Sequence, residues 1–417
     1  MRGSMRSGQA MILLVVALFT IGVVMVNSAS LRLPENPAGV VGASADGTAT
    51  GFSVTLSHVF QGRYLQLAIL AIVAMLATSL VSIEKLASGR GISSVIPWLI
   101  LFMVGALALT YVPGIGVTQN GATRWIRLGG LGLQPSELIK WGMPLLIAAY
   151  CVRNAGSMHR FRVGLLQPVL IAGIFCGVIA LEDLGTAVLI MCVVLGILLA
   201  AGIRIWQVIA VLPVGILAFI GLVLAEPYRV RRIVSFMHPY ADPGDSGYHL
   251  VQSLSAIAAG GTTGRGLGHS IQKFGYLPEI NSDFIFAMVC EELGIFGAGL
   301  VILIFVAILL IGLSIVTGRS VPKAEPVKDP QALVPPMSRL VGLGILLTFG
   351  LQALINIAVV TGLAPTKGIA LPLVSHGGTG WILTAAALGL VISIDRSACR
   401  RARYGQHREP AASPVVA

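Results

Sequence analysis

The chain alternates between apolar blocks of about 20 residues and short polar segments. A transmembrane α-helix needs about 20 mostly apolar residues to cross the hydrocarbon core of a bilayer. The sequence carries 56% hydrophobic and 11% charged residues, whereas a soluble domain carries about 25% charged residues. These features predict an all-α integral membrane protein, a polytopic bundle of about ten transmembrane helices. The predicted spans lie near residues 11–29, 64–83, 93–112, 134–151, 164–181, 184–202, 205–225, 284–316, 338–361 and 380–395.

Two of these spans have unusual features. The first is preceded by basic residues and ends at Ser28–Ser30, so it fits either a signal peptide with its cleavage site or a first transmembrane helix. Because the run from Met11 to Val26 is uninterrupted and many spans follow, we expect an uncleaved first helix. The eighth span is overlong, and the glycines near its start predict a tilt or a break. These glycines are Gly294, Gly297 and Gly299.

Lysine and arginine residues concentrate in alternate loops, which indicates the orientation of the chain. By the positive-inside rule, both termini are predicted to be cytoplasmic. We therefore divide the chain into a cytoplasmic segment 1–10, one membrane domain 11–395 and a basic cytoplasmic tail 396–417. The membrane domain includes one long external loop, 226–283, between the seventh and eighth helices.

The formal net charge of +11 raises the question of nucleic acid as a partner. The basic residues, however, are scattered between apolar blocks and concentrated in the tail, a pattern that fits topology signals and anionic membrane lipid. We expect no nucleic-acid partner. The five cysteines and seven histidines show no metal-ligand spacing, and no disulfide is expected.

Charged side chains lie close to several span ends, where burial in a membrane costs several kcal/mol unless the charge is paired or hydrated. Asp283 lies where the long external loop meets a span, at the lipid–water boundary, and is the strongest functional candidate. Four charged residues lie inside apolar blocks, and for them we favour structural ion pairs over a functional role. They are Glu137, Lys140, Glu291 and Glu292. The glycine-rich run 260–268 fits a phosphate-contacting loop or a simple flexible turn equally well.

Several motifs then occur in a fixed order along the chain. They are Asn120–Ile126, Gln134–Leu138, Asp183–Thr186, Leu277–Glu279, Asp283–Phe286, Glu291–Gly294, Pro365–Gly368 and Ser375–Gly378. Together they resemble the FtsW/RodA/SpoVE family of peptidoglycan glycan-chain polymerases, from the first span to the last. Two segments, Asn27–Ser30 and Pro365–Gly368, favour the division-type branch.

The chain departs from this family at a few positions. His249 stands where the family usually has Gln, Asn281 where it has His, and His376 where it has Tyr. Thr379 and Gly380 replace a pair of serines. These departures concern the fine tuning of the site and leave its acidic and basic side chains in place.

The resemblance implies polymerisation of lipid II, a disaccharide-pentapeptide on undecaprenyl pyrophosphate, at the outer face of the inner (cytoplasmic) membrane. It implies Asp283 as the general base. Candidates for substrate or pyrophosphate contact are Arg124, Arg127, Arg229, Lys273, Lys367 and Ser375. Structural or supporting residues are Glu137, Lys140, Asp183, Glu279, Glu291 and Glu292.

The resemblance also implies partners: a class B penicillin-binding protein that acts as transpeptidase, and other divisome or elongasome membrane proteins. No cofactor is required by a motif, although a divalent cation, Mg²⁺ or Mn²⁺, could share the role of the basic residues. Two other functions compete: a lipid II flippase, and a non-catalytic division scaffold. A flippase needs a polar path open to both leaflets, whereas the motif-bearing loops here are all predicted outside, which favours the polymerase.

Overall fold

The computed structural model describes residues 6–30, 62–84, 94–119, 122–128, 131–242, 244, 247–277, 279–318, 336–376 and 378–406. Within these ranges the chain is predominantly helical, with one small antiparallel sheet. The helices are α1 Ser7–Ser30, α2 Arg63–Thr78, α3 Val95–Thr110, α4 Pro135–Arg153, α5 Gln167–Glu182, α6 Leu184–Ala200, α7 Ile205–Leu224, α8 Pro227–Met237, α9 Tyr248–Gly260, α10 Ile285–Val316, α11 Met337–Val360 and α12 Thr379–Gln406. The strands are β1 Gly116–Gln119, β2 Ala122–Leu128 and β3 Leu131–Leu133.

Each of the ten predicted spans coincides with one helix of the structure: α1 to α7, and α10 to α12. Six apolar helical stretches among the described residues are long enough to cross a bilayer. They are Ser7–Ser30, Arg162–Glu182, Ile205–Leu224, Ile285–Val316, Met337–Val360 and Thr379–Arg400. The all-α, multi-pass membrane fold is therefore confirmed, while the count of ten crossings stays a prediction.

The core of the bundle lies between α1, α2, α4, α6, α10, α11 and α12, which pack against one another. Helix α7 differs from these helices. Val223 is the one buried residue of α7, and its main helical neighbour is α8. An apolar helix that leaves most of its surface uncovered by protein suits contact with lipid.

The polar segments between the apolar helices contain regular structure that was not predicted from the sequence. The strands pair in the order β1-β2-β3 directly before α4. The segment 226–283, predicted as a loop, contains the amphipathic α8 and the helix α9. Pro227 at the first position of α8 helps to begin that helix, because its missing N–H would be unpaired there anyway.

The predicted break in the eighth span is confirmed at Gly294. This residue has φ 64° and ψ −163° inside α10, a conformation that is essentially restricted to glycine. At the kink, the N–H of Ile295 donates to the oxygen of Gly261 (3.1 Å). The N–H groups of Arg265 and Gly266 donate to the oxygens of Glu291 (2.9 Å) and Glu292 (3.0 Å). The glycine-rich run is thus a turn docked on α10, and these N–H groups are already used.

Candidate active site

Asp283 lies in a tight turn directly before α10. The main-chain oxygen of Glu279 accepts hydrogen bonds from the N–H groups of Ser282 (3.1 Å), Asp283 (3.1 Å) and Phe284 (3.3 Å). The side-chain N–H of Asn356, on α11, donates to the main-chain oxygen of Asp283 at 2.7 Å. Asp283 is therefore held from both its own turn and a neighbouring helix.

The surroundings of Asp283 raise the pKa of its carboxyl group to about 7. Burial is the largest cause, followed by the nearby carboxylates of Glu279 and Asp183, while Arg232 and Arg124 act in the opposite direction. A carboxyl group with a pKa near the working pH is suited to general acid–base catalysis. The sequence-based assignment of Asp283 as the base thus fits its environment.

Asp183 and Lys367 lie on the side of the site formed by α6. Asp183 caps this helix, accepting hydrogen bonds from the N–H (3.1 Å) and the hydroxyl (2.6 Å) of Thr186. A side-chain carbon added at Gly185 would lie 3.3 Å from Cδ of Lys367 and 3.4 Å from Oδ1 of Asp183. Burial lowers the pKa of the Lys367 amine, which Asp183 partly opposes. Lys367 is therefore a cation close to Asp183 and to the charged residues around Asp283.

Arg124 and Arg127, three residues apart on β2, have different surroundings. Arg127 is exposed, whereas Arg124 is half-buried. Arg124 lines a small cavity between α3, α4 and the end of α5, together with Glu182 and Asp183. Its Nε is buried and has no hydrogen-bond partner among the described residues, and its charge acts on Asp283. Of this predicted pair, Arg124 acts on Asp283, whereas Arg127 is exposed; pyrophosphate contact by either residue stays a prediction.

Arg229, another predicted pyrophosphate contact, is used to join helix ends. Its guanidinium donates to the main-chain oxygens of Leu222 (2.8 Å), Ala180 (2.8 Å) and Leu181 (2.9 Å). These are carbonyls at the ends of α7 and α5, where helices leave acceptors unpaired. Arg229 is thus a structural cation that also adds positive charge near Lys367.

Arg232 is a residue of the site that the sequence analysis did not select. Its guanidinium donates to the main-chain oxygen of Thr366 at 3.1 Å and contacts the hydroxyl and ring of Tyr228. It also acts electrostatically on Asp283. The available signal was its place in the segment 226–283, predicted as the external loop, three residues after the candidate Arg229.

Lys273 belongs to a separate buried cluster between the end of α1, the glycine-rich turn and the first part of α10. Its amine donates to the oxygen of Gly268 at 2.5 Å, and burial lowers its pKa although Glu292 and Glu291 oppose that effect. The Ser28 hydroxyl and the Ser270 N–H both donate to Glu292, at 2.8 and 3.3 Å. This cluster attaches the glycine-rich turn to α10, so Lys273 has a structural position.

The remaining predicted residues also have structural partners. Lys140 forms an ion pair with Glu137 at 2.5 Å and donates to Oε1 of Gln352 at 2.7 Å, which confirms the predicted pairing. Ser375 is 1% exposed, and its hydroxyl accepts a hydrogen bond from the N–H of Leu371 at 2.7 Å. The Ser375 hydroxyl therefore shapes the loop before α12.

Three of the five positions at which the chain departs from the family adjoin the turn of Asp283: His249, Asn281 and His376. The ring of His249 stacks on Phe284 at 5.8 Å between centroids and 12° between planes. The N–H of His376 donates to the oxygen of Asn281 at 2.8 Å, and its ring meets Tyr64 edge-on. Burial lowers the pKa of both imidazoles, so they are neutral at neutral pH.

A divalent cation was an expectation of the family resemblance. Within the part of the chain that the structure describes, no three His, Cys, Asp or Glu residues group together to hold a metal ion. Asp283, Glu279 and Asp183 offer the oxygen donors that Mg²⁺ prefers, but Arg124, Arg232 and Lys367 supply positive charge at the same place. The residues present do not form a complete metal site, and the role of a cation stays a prediction.

Comparison with known proteins shows the family of this chain. The family model described as "Cell cycle protein", FtsW/RodA/SpoVE, matches residues 9–400. A probable peptidoglycan glycosyltransferase FtsW of Coxiella burnetii is 41% identical over 297 residues, covering 70% of this chain and 77% of that protein. Another, from Nitrosococcus halophilus, is 37% identical over 381 residues and covers 91% and 90%. Stage V sporulation protein E of Bacillus subtilis is 36% identical over 291 residues, covering 70% and 76%.

Solved structures agree with the sequence comparison. A chain from a study of the structural coordination of polymerization and crosslinking by a peptidoglycan synthase complex superposes with a TM-score of 0.65 and 25% identity, covering 93% of this chain and 97% of that one. The rod shape determining protein RodA of Thermus thermophilus has the same fold, with a TM-score of 0.60 and 22% identity over 93% and 96% of the two chains. This chain therefore belongs to the FtsW/RodA/SpoVE family of cell cycle proteins, and its similarity to proteins named FtsW supports the division-type branch.

Proposed function

We propose that this protein is a peptidoglycan glycosyltransferase that polymerises lipid II into glycan strands during septal wall synthesis. Its relatives from Coxiella burnetii and Nitrosococcus halophilus carry the name probable peptidoglycan glycosyltransferase FtsW. The observation that carries the proposal is the pair of features around Asp283: a carboxyl group whose pKa is raised to about 7, and cations next to it. Arg124 and Arg232 act on Asp283 directly, and Lys367 interacts with Asp183 and with both of these arginines.

Glycan polymerisation needs these two features for one displacement at a sugar carbon. The 4-hydroxyl of the incoming lipid II attacks the anomeric carbon of the growing chain, and its proton passes to the carboxylate of Asp283. The new C–O bond forms as the bond from that carbon to the lipid-linked pyrophosphate breaks, and the pyrophosphate leaves with the electron pair. A base at the attacking oxygen and positive charge at the leaving group each lower the barrier.

The cations have distinct roles in this proposal. The Nε of Arg124 is buried and has no hydrogen-bond partner among the described residues, but the side chain as a whole is half-buried, so its guanidinium can bind a phosphate oxygen. Arg232 and Lys367 extend the positive surface along the segment 365–368. The pyrophosphate would lie on this side of Asp283, with its polyprenyl chain against the apolar helices.

Location and partners follow the same proposal. The protein crosses the membrane several times, and the basic residues of its sequence favour cytoplasmic termini in the inner membrane. That orientation puts Asp283 at the outer face. The related chain of known structure belongs to a peptidoglycan synthase complex that coordinates polymerisation and crosslinking. We therefore propose a class B penicillin-binding protein as the crosslinking partner.

The test is a polymerisation assay on purified lipid II in liposomes, with and without the cognate class B penicillin-binding protein. Wild type would be compared with Asp283→Asn and with a control, Glu226→Gln, which changes an exposed carboxylate without a side-chain capping bond on the same outer segment. We expect long glycan strands from wild type and control, and none from Asp283→Asn although it folds and binds its partner. Equal synthesis by Asp283→Asn would refute the base assignment. No synthesis by wild type in an intact complex would favour the flippase or scaffold function.

A further inference from the structure

Glu279 is the first residue of the turn, 279–284, that carries Asp283. It has φ 56°, a left-handed conformation that costs a residue with a side chain about 1–2 kcal/mol. Such a conformation persists where the surrounding structure requires it. Here the requirement is visible, because the Glu279 oxygen accepts the N–H groups of Ser282, Asp283 and Phe284.

The carboxylate of Glu279 is also held in place. The hydroxyl of Ser282 donates to its Oε2 at 2.8 Å, which ties this exposed side chain to the residue directly before Asp283. From this position the negative charge acts on Asp283 and on the imidazoles of His249 and His376.

We propose that Glu279 is the positioning residue of this active site: its main chain holds Asp283 at the start of α10, and its carboxylate makes Asp283 a stronger base. This inference rests on the proposed function of the site. It assigns to one residue both the geometry and the electrostatic environment of the base.

The physical need for such a residue comes from the cations of the site. Positive charge that stabilises a departing pyrophosphate also stabilises the ionised form of a nearby carboxyl group, and so makes it a weaker base. Arg232 and Arg124 have this effect on Asp283. Among the charges that oppose it, Glu279 has the larger effect, ahead of Asp183. Glu279 therefore allows a cationic site to keep a base that works near neutral pH.

The charged groups around this turn come from several elements. Asp183 faces Asp283 from α6, Arg232 from α8 and Arg124 from β2. His249 and His376 are held neutral above about pH 6.5 by their lowered pKa values. Changes in rate above that pH consequently do not report the imidazoles. Because burial also lowers the pKa of the Lys367 amine, the difference between Glu279→Gln and wild type, and not the wild-type profile alone, reports the effect on Asp283.

The experiment measures initial rates of lipid II polymerisation between pH 5.5 and 9, using the full chain with its penicillin-binding partner. Glu279→Gln keeps the length of the side chain and an acceptor for Ser282 but removes the charge. Glu279→Asp keeps the charge. In the wild type kcat/KM falls on the acid side of the pH profile, and we call this part of the profile the acid limb. We expect the acid limb of Glu279→Gln to lie at lower pH by on the order of half to one unit. We expect its plateau rate to fall about threefold to tenfold, while Glu279→Asp keeps the wild-type limb.

An acid limb of Glu279→Gln that coincides with wild type would overturn the inference, while an inactive Asp283→Asn would leave the proposed function intact. If Glu279→Gln does not fold, Glu279→Asn takes its place, because Asn tolerates the left-handed conformation. Equal losses in Glu279→Asp and the neutral variants, with folding retained, would show that the turn alone matters and would overturn the electrostatic role. Activity in Asp283→Asn would remove both proposals together.

Discussion

Asn356 joins Asp283 to the loop before the last helix: its Nδ2 donates to the main-chain oxygen of Asp283 at 2.7 Å and to that of Ile369 at 2.7 Å. Asn356 is 1% exposed, so these carbonyls have little access to water as an alternative partner. The base and the segment that contains Lys367 are thus connected through one amide group on α11. This arrangement fixes the acidic and cationic parts of the site relative to each other.

Replacing Asn356 with Leu is expected to misplace the site. Two main-chain carbonyls lose their donor, and each such loss costs about 1–3 kcal/mol. We expect at least a tenfold fall in lipid II polymerisation and a lower thermal unfolding temperature, measured by fluorescence in detergent. Thr361→Val is the matched control at the end of the same helix, since among the described residues that hydroxyl donates to carbonyls of its own helix. Equal effects of the two substitutions would contradict a specific role for Asn356.

The rate of the wild-type protein is expected to rise with pH through neutrality. Asp283 has a pKa of about 7, and it accepts a proton only in its ionised form. About one tenth of the carboxyl groups are therefore ionised at pH 6, so the rate there should be roughly a tenth of its plateau. Initial rates between pH 5.5 and 8.5 at lipid II concentrations well below KM, which report the ionisation of the free enzyme, test this expectation. A rate that stays constant down to pH 5.5 would argue that an acid with an ordinary pKa, or no base at all, limits the reaction.

The apolar pattern of the sequence was sufficient to predict the helices of the bundle, because the length of each block is set by the thickness of the bilayer. The break at Gly294 was also predicted, since glycine tolerates a backbone that other residues avoid. The helices α8 and α9 and the sheet β1–β3 were not predicted. These segments are not continuously apolar and are too short to span a membrane. Their stability depends on packing against the bundle.

The candidate site could be predicted in part from the sequence. Motif resemblance selected Asp283, Arg124 and Lys367, which the structure brings into one electrostatic neighbourhood. The same resemblance also selected Lys273 as a pyrophosphate contact, although the structure places its amine in the separate cluster with Gly268, where it donates to the main-chain oxygen. A motif records which residues occur but not what their side chains contact. The roles of Arg232 and Arg229 could be distinguished only from their contacts. The Arg229 guanidinium binds a carbonyl at the end of a helix, whereas the Arg232 guanidinium binds the carbonyl of Thr366.

Arg124 and Arg127 provide a matched test of the cationic surface. Both are arginines on β2, but Arg124 is half-buried and acts on Asp283, whereas Arg127 is exposed. We expect Arg124→Gln to reduce kcat/KM for lipid II by tenfold or more, because it removes a charged donor worth about 1.5–3 kcal/mol. Arg127→Gln should stay within about twofold of wild type. A larger loss for Arg127→Gln than for Arg124→Gln would mean that the pyrophosphate binds on the outer surface of the sheet.

The kink of α10 gives the last prediction, which concerns the shape of the fold. A side-chain carbon at Gly294 would lie 2.4 Å from the nitrogen of Gly264 and 2.5 Å from the oxygen of Thr262. Both neighbours are main-chain atoms, so neither can rotate away. Gly294→Ala must therefore separate the glycine-rich turn from α10 or straighten the helix, and the left-handed backbone adds about 1–3 kcal/mol. We expect a severe loss of folded protein, measured as the monodisperse fraction after extraction from membranes.

Gly299, five residues further along the same helix, is the control for this prediction. A side-chain carbon there would meet no atom within 4 Å, and its backbone is helical. Gly299→Ala should therefore fold as well as wild type, since alanine is favoured over glycine inside a helix. The kink lies between the turn of Asp283 and the rest of α10, so a folded Gly294→Ala protein should also polymerise poorly. Normal folding and activity of Gly294→Ala would show that α10 reaches Asp283 without the break.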